Sequence, residues 1–236
     1  MAQRKINFLE HEVYFVFNKG NFSHDIFHDE QDYQRFLKII FLSNGIKKFK
    51  YKDLLKYNKN IFELNNGEKI VNIIAFVCLP NSFYFLLENK PQKIAKNIGV
   101  NKHLDNNLSV FMKRVSSAYS MYYNKKYNKT GSLFEGKFKA EHISDLNYFK
   151  YLFSYINLSP INLIQKDWLE VGIKNIDFTK NFLEDYKYSS FKYFFPKFGN
   201  LVSENLIETE TFYKKIGFHS DLSKEIFNWV KYKIIN

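Results

Sequence analysis

The 236-residue sequence has a single cysteine, no run of 18 or more apolar residues, and only three arginines among its 35 basic residues. One cysteine cannot build a disulfide framework or a cysteine-ligated zinc site, so both classes are excluded. Cys78 lies in the apolar run 73–79, where a thiol usually behaves as a small buried hydrophobic group. The lack of a long apolar run and the polar first residues disfavour a membrane span and a signal peptide, and we expect a cytoplasmic protein.

The composition is that of a globular protein, with 45% hydrophobic and 25% charged residues. The net charge of +11 suggests a polyanionic partner. A second interpretation is that the abundance of lysine, asparagine, isoleucine, phenylalanine and tyrosine reflects the codon usage of an AT-rich genome. The distribution of the charge is therefore more informative than its total.

The basic residues are concentrated between residues 106 and 139, where seven bases and one acid give a net charge of +6. Tyrosines and phenylalanines alternate with these bases, a mixture that would suit phosphate pairing combined with base stacking. A solvated helix face whose aromatic side chains point into the core would have the same composition. The composition alone leaves both interpretations open.

Apolar runs and turn signals predict the order strand, helix, strand, strand, helix, strand, helix. We predict strands at 13–17, 70–79, 83–88 and 133–143, and helices at 30–44, 107–127 and 146–160 with Asp29 and Asp145 as N-caps. The predicted fold class is α+β, a ferredoxin-like antiparallel sheet with helices on one face. Residues 1–165 would form this domain, and residues 166–236 a helical C-terminal extension packed on it.

Six motifs in this order resemble those of the REP-associated tyrosine transposases, which are relatives of the single-tyrosine HUH insertion-sequence transposases. They are YFVFNKGN at 14–21, Ile26-Phe27 with Asp32-Tyr33 and Phe36-Leu37, AFVCLPN at 75–81, GSLFEGKFK at 131–139, YINLSP at 155–160 and YSSF at 188–191. Each motif is weak alone, but together they span about residues 12–195. The resemblance implies a ferredoxin-like nuclease fold that binds hairpin-forming single-stranded DNA.

The same resemblance implies a reaction and the residues that perform it. In the family a helix tyrosine attacks a phosphodiester and becomes joined to the 5′ phosphate, while Mg²⁺ or Mn²⁺ polarises the scissile phosphate. The nucleophile position falls on Tyr155. An ordinary core aromatic is the alternative for this residue, because the chain has 17 tyrosines.

All three metal-ligand positions of the family are substituted in this chain. The two strand histidines fall on Ser82 and Tyr84, and the helix asparagine falls on Ser159. A serine hydroxyl is a weak neutral ligand, and a phenol would have to lose a proton with a pKa near ~10. The sequence contains no His-x-His. His24, His28, His142, Glu135 and Glu141 could rebuild a site only from separate segments, so we expect no metal cofactor.

We therefore predict a transposase-family protein that binds single-stranded or hairpin DNA and is impaired in metal-dependent cleavage. An active transposase with a non-standard metal site and a protein-interaction module on the same fold are the alternatives. The expected partner is DNA, and the protein would be associated with the nucleoid when it is bound. A homodimer is one option, and no interaction with a membrane is expected. The predicted DNA-binding residues are Lys113, Arg114, Lys125, Lys126, Lys129, Lys137 and Lys139, with Tyr122, Tyr123 and Tyr127 as stacking candidates.

Overall fold

A computed structural model describes residues 7–47, 61–91, 106–195, 206–217 and 221–230. Four antiparallel strands form a sheet in the order β2-β3-β1-β4. They are β1 (Val13–Lys19), β2 (Val71–Leu79), β3 (Ser82–Asn89) and β4 (Lys139–Ile143). Helix α1 (Glu30–Ser43) lies between β1 and β2 in the chain, and α2 (Asn107–Lys126) lies between β3 and β4. This order and connectivity confirm the predicted α+β, ferredoxin-like fold.

The helices begin where the sequence provides N-caps. The Asp29 side chain accepts a hydrogen bond from the backbone of Asp32 at the start of α1. The Asp145 side chain accepts one from the backbone of Tyr148 at the start of α3 (Leu146–Leu158). Such a side chain satisfies an N–H group that has no partner within the helix. Both predicted caps are confirmed.

Alternation along the strands divides the core into two layers, because successive side chains point to opposite faces of the sheet. On one face, the Phe36 ring of α1 lies 5.1 Å from Phe83, and Phe111 of α2 lies 6.1 Å from Phe85. On the other face, Tyr84 lies 5.9 Å from Tyr155 of α3. The two crossover helices share one face as expected, and the helix that follows β4 covers the opposite face.

The C-terminal region is helical, as predicted, and packs on the outer side of α3. Its helices are α4 (Trp168–Val171), α5 (Ile176–Asp185), α6 (Phe191–Phe194), α7 (Thr209–Ile216) and α8 (Leu222–Trp229). Phe153 of α3 stacks on Phe212 at 4.1 Å and contacts Trp229 edge-on at 6.5 Å. Helix α3 is therefore enclosed between the sheet and this region, which explains why so few of its residues are polar. The domain boundary at residue 165 stays a prediction, and 231–236 lie outside the described residues.

Strand β4 is shorter than the predicted strand 133–143, because the chain first makes a turn. Gly131 and Gly136 have φ angles of +90° and +71°, which favour glycine and interrupt an extended strand. Leu133 and Phe134 are both buried, so side chains do not alternate between core and solvent there.

None of the helices in the described ranges has the length and apolar character that crossing a membrane requires.

The YSSF segment pairs with the outer edge of β2. The backbone of Cys78 donates to the carbonyl of Tyr188 at 2.8 Å, and the backbone of Ser190 donates to the carbonyl of Phe76 at 2.8 Å. The buried Ser190 hydroxyl donates to Oδ1 of Asn157 at 2.7 Å, and it accepts from the backbone N–H of Phe76 at 3.0 Å. Ser190 therefore ties α3, which carries Tyr155 and Asn157, to the sheet edge.

We predict that Ser190→Ala lowers the free energy of unfolding by about 1–3 kcal/mol, because it leaves buried polar groups on Phe76 and Asn157 without their partner. Urea denaturation followed by circular dichroism measures this change. Ser117→Ala removes a hydroxyl from an exposed position of α2 and is the matched control, with an expected change within about 0.5 kcal/mol. Equal stability of the two variants would contradict the prediction.

Candidate functional site

A cleft of about 580 Å³ lies between the sheet and α3, and it includes Tyr155. One wall comes from β1 and β3, the other comes from α3, and the loop before β4 closes one side. The lining residues are Phe15, Phe17, Asn18, Lys19, Asn81, Ser82, Tyr84, Glu135, Lys139, Glu141, Tyr148, Tyr151, Leu152, Tyr155 and Leu169. Three of the four positions singled out by the family resemblance, Ser82, Tyr84 and Tyr155, therefore meet in one cleft.

Tyr155 belongs to a row of tyrosines on one face of α3. The spacing of 148, 151 and 155 places these residues next to one another on a helix. Tyr148 stacks near Tyr151 at 6.0 Å, and Tyr151 stacks near Tyr155 at 6.0 Å. Burial raises the pKa of Tyr155 above its ordinary value, and the neighbouring Tyr84 and Tyr151 raise it further. The Tyr155 phenol therefore remains protonated at neutral pH, which makes it a poor nucleophile without an adjacent base.

The substituted ligand positions have structural partners of their own. The Ser82 hydroxyl is buried and donates to Oδ1 of Asn81 at 3.1 Å. Tyr84 packs with Phe15 at 5.9 Å and Phe17 at 6.2 Å. Ser159 is fully buried, and its hydroxyl donates to the backbone carbonyl of Tyr155. Ser159 is not among the residues that line the cleft, but a hydrogen bond with its hydroxyl lowers the pKa of Tyr155 and so opposes the effect of burial.

The two carboxylates in the cleft, Glu135 and Glu141, each have a neighbouring side chain that interacts with them. Glu135 forms an ion pair with Lys19 at 2.9 Å, and the hydrogen bond from Lys19 lowers the pKa of Glu135. Burial and the nearby Glu141 raise the pKa of Tyr148 to about 12. Within the described ranges, no three histidine, cysteine, aspartate or glutamate side chains are grouped so that they could hold a metal ion. The cleft therefore offers two carboxylates, Glu135 and Glu141, but no such group of three.

The histidines considered as replacements lie elsewhere. His142 of β4 is 2.9 Å from Glu12 and packs against Tyr14, on the opposite side of β4 from Glu141. Nε2 of His28 lies 2.8 Å from the Tyr123 hydroxyl, and His28 borders a different groove together with His24. Neither arrangement brings a histidine to Tyr155.

Three of the predicted DNA-binding residues instead bind one buried carboxylate. Asp32 of α1 is fully buried and accepts hydrogen bonds from Tyr122 at 2.9 Å, Lys126 at 2.7 Å and Tyr127 at 2.7 Å. Lys126 also pairs with Asp29 at 2.7 Å. We call these five residues the Asp32 cluster. The polar groups of Tyr122, Lys126 and Tyr127 join the end of α2 to the start of α1, and their place on a nucleic-acid face stays a prediction.

Arg114 likewise contributes to the scaffold. Its guanidinium donates to the backbone carbonyls of Ser43 at 3.2 Å and Gly45 at 2.9 Å, and so satisfies carbonyls beyond the end of α1. Its place on the DNA-binding face stays a prediction. Tyr123 and Tyr127 both border the groove that also contains His24 and His28.

The other predicted bases are exposed to solvent: Lys113, Lys125, Lys129, Lys137 and Lys139. Two hydrogen bonds fix the loop after α2. The Asn124 side chain donates to the carbonyl of Gly131, and the backbone N–H of Asn21 donates to the carbonyl of Leu133. The loop therefore carries its lysines from the end of α2 to the cleft, where Lys139 lies above Phe17 at 5.9 Å. Lys113 is separate, about 18 Å from Lys125 along the axis of α2.

Two features of this region were not predicted from the sequence. The tyrosine row was detectable from the i, i+3 and i, i+4 spacing of Tyr148, Tyr151 and Tyr155. The Asp32 cluster gave no local signal, because Asp32 and Lys126 are 94 residues apart in the chain. Such a long-range pair can be recognised only once the antiparallel contact of α1 with α2 is known.

No protein-family model matches the chain, and no curated protein matches it in sequence. Among solved structures, a REP-associated tyrosine transposase bound to a REP hairpin is similar in structure to this chain. The similarity covers 82% of this chain and 84% of the other, with 12% sequence identity and a TM-score of 0.46.

We predict that Asp32→Asn lowers the free energy of unfolding at pH 7 by about 3 kcal/mol, since it removes the charged acceptor of the Tyr122 and Tyr127 hydroxyls and leaves Lys126 with Asp29 as its carboxylate partner. Burial alone would raise the pKa of Asp32, but the bonds from Lys126, the His28 backbone, Tyr127 and Tyr122 outweigh it and lower that pKa. The stabilisation is therefore complete above the unfolded value of about 3.9 and is lost as the pH falls through the lower folded pKa.

Denaturant unfolding at several pH values measures the difference between wild type and Asp32→Asn. The exposed Asp25→Asn is the control and should change stability by less than about 0.5 kcal/mol. A difference that grew as the medium became more acidic would show that the sign is wrong.

Proposed function

We propose that this protein binds single-stranded or hairpin DNA as a transposase-like protein whose metal-dependent strand cleavage is impaired. The observation that carries the binding proposal is the set of exposed lysines on the fixed segment from Lys125 to Lys139, which leads to the cleft at Tyr155. Lysines placed in this way can follow a phosphate backbone without reading its sequence. The motif resemblance adds the expectation that the polyanion is DNA.

The proposal of impaired cleavage rests on the chemistry of the cleft. Tyr84 occupies a position where the family has a ligand, and its ring packs with Phe15 and Phe17. Lys19 pairs with Glu135, and the pKa of Tyr155 is raised. Among the residues that the structure describes, no group next to Tyr155 is shown to remove its proton. Without a Lewis acid at the scissile phosphate, several kcal/mol of transition-state stabilisation would be missing.

An active transposase with an unfamiliar cation site is a second candidate, and one observation favours it. Glu135 and Glu141 both line the cleft that contains Tyr155, and Mg²⁺ can be held by one or two carboxylates together with water and substrate phosphate. The pairing of Glu135 with Lys19 opposes this candidate, because binding of a cation would have to displace the lysine.

Cleavage is tested by incubating the protein with end-labelled hairpin DNA and Mn²⁺, followed by denaturing electrophoresis. We expect no covalent protein–DNA adduct with wild type, with Tyr155→Phe, or with Tyr151→Phe as the matched control on the same helix face. An adduct formed by wild type and Tyr151→Phe, and absent with Tyr155→Phe, would establish the active transposase instead.

Binding is tested by measuring the affinity for a labelled single-stranded hairpin as a function of salt. We expect log K to fall with log [salt] by about 0.7 for each phosphate contact, so that Lys125→Glu/Lys129→Glu reduces the slope by about 1.4. The control Lys166→Glu/Lys224→Glu changes the net charge equally at exposed positions elsewhere. A slope near zero for wild type would favour a protein-interaction module.

A further inference from the structure

A second groove, distinct from the cleft at Tyr155, lies on the side of the sheet that carries α2. It has a volume of about 780 Å³ and is bordered by the turn after β1, the end of α2 and the loop that follows α2. Its lining combines aromatic rings with short polar side chains and one exposed lysine. The residues that matter here are Phe22, Asp25, Tyr123, Lys129, Thr130 and Ser132.

Phe22 is the unusual residue of this groove. Its side chain is 85% exposed, although a large aromatic ring normally gains by burial. Its φ angle is +52° and that of Ser23 is +59°, a left-handed backbone that costs energy in residues other than glycine. Such a conformation persists only when the surrounding structure imposes it.

Backbone hydrogen bonds on both sides impose this conformation. The backbone of Asn21 donates to the carbonyl of Leu133 at 2.9 Å, that of Ser23 donates to Gly20 at 3.0 Å, and that of His24 donates to Asn21 at 3.1 Å. The turn is therefore attached to the loop after α2. It holds the Phe22 ring in solvent at the edge of the groove.

The remaining lining suits a nucleobase and its phosphate. The Tyr123 hydroxyl bonds to Nε2 of His28 at 2.8 Å, which fixes the Tyr123 ring. Asp25 offers acceptors and Thr130 a donor and acceptor of the kind that base edges use, while the Ser132 hydroxyl already donates to the carbonyl of Phe134 and can only accept. Lys129 is exposed and provides a positive charge for a phosphate next to the base.

We propose that this groove binds one unpaired base of single-stranded DNA, which stacks on Phe22 while Lys129 pairs with a neighbouring phosphate. The inference rests on the proposed DNA-binding function and adds a site and a preference for unpaired bases. A base in duplex DNA cannot use such a site, because its faces are covered by its neighbours in the stack. Sequence tolerance is expected, since every base has a flat face for stacking.

The test compares Phe22→Ala with wild type for binding to a labelled oligothymidylate of about 20 nucleotides and to a duplex of equal length, by fluorescence anisotropy. We expect Phe22→Ala to weaken single-strand binding by about tenfold, because stacking on one aromatic side chain contributes about that factor per base. Duplex binding should stay within about twofold of wild type. Phe22→Trp keeps a flat ring and should restore single-strand binding.

Phe178→Ala is the matched control, since Phe178 of α5 is also exposed and does not border the groove. We expect it to bind both probes as wild type does. Thermal unfolding of Phe22→Ala should match wild type, because the ring makes little buried contact. Equal loss on single strand and duplex would overturn the base-stacking site.

The outcomes separate this inference from the proposed function. If wild type binds the single strand with a steep salt dependence and Phe22→Ala binds it equally well, the base site is refuted and DNA binding stands. If wild type binds neither these probes nor the labelled hairpin, the DNA-binding function itself is refuted, and the base site with it.

Discussion

The alternation of side chains along the two central strands is the constraint on which the rest of this structure depends. On β3, Phe83 and Phe85 enter the core with α1 and α2, so Ser82 and Tyr84 must face the other side of the sheet. That side is covered by α3, which supplies Tyr155. Substitution of positions 82 and 84 therefore changes the character of the cleft without disturbing the main core.

Sequence reasoning succeeded where a signal is local. The caps Asp29 and Asp145, the hairpin at Pro80-Asn81 and the strand–helix order follow from neighbouring residues, and they led to the ferredoxin-like fold. The convergence of Ser82, Tyr84 and Tyr155 could be anticipated from the motifs. Composition could not separate a solvated helix face from a binding face, because the partner of Lys126 is a carboxylate 94 residues away. Strand β4 was predicted too long, since the chain turns at Gly131 and Gly136, which have positive φ angles, before the strand begins.

The basic segment 106–139 thus has two different roles along its length. Arg114 donates to a backbone carbonyl just after α1, and Lys126 pairs with the carboxylate of Asp32 in α1. The lysines at 125, 129, 137 and 139 are exposed. The first group fixes α2 against α1. The second runs from the end of α2, through a loop that is attached to the turn after β1, to the start of β4. A charge excess that looks uniform in the sequence is therefore divided between stability and surface potential.

The pairing of the YSSF segment with β2 has a consequence for how copies of this chain could associate. A strand with unpaired N–H and C=O groups at the border of a sheet is a template for adding a foreign strand. On the β2 side that template is already occupied at Phe76 and Cys78 by residues of the same chain. Among the described residues β4 is the other border strand of the sheet, and its five residues would allow only a short ladder with a second chain.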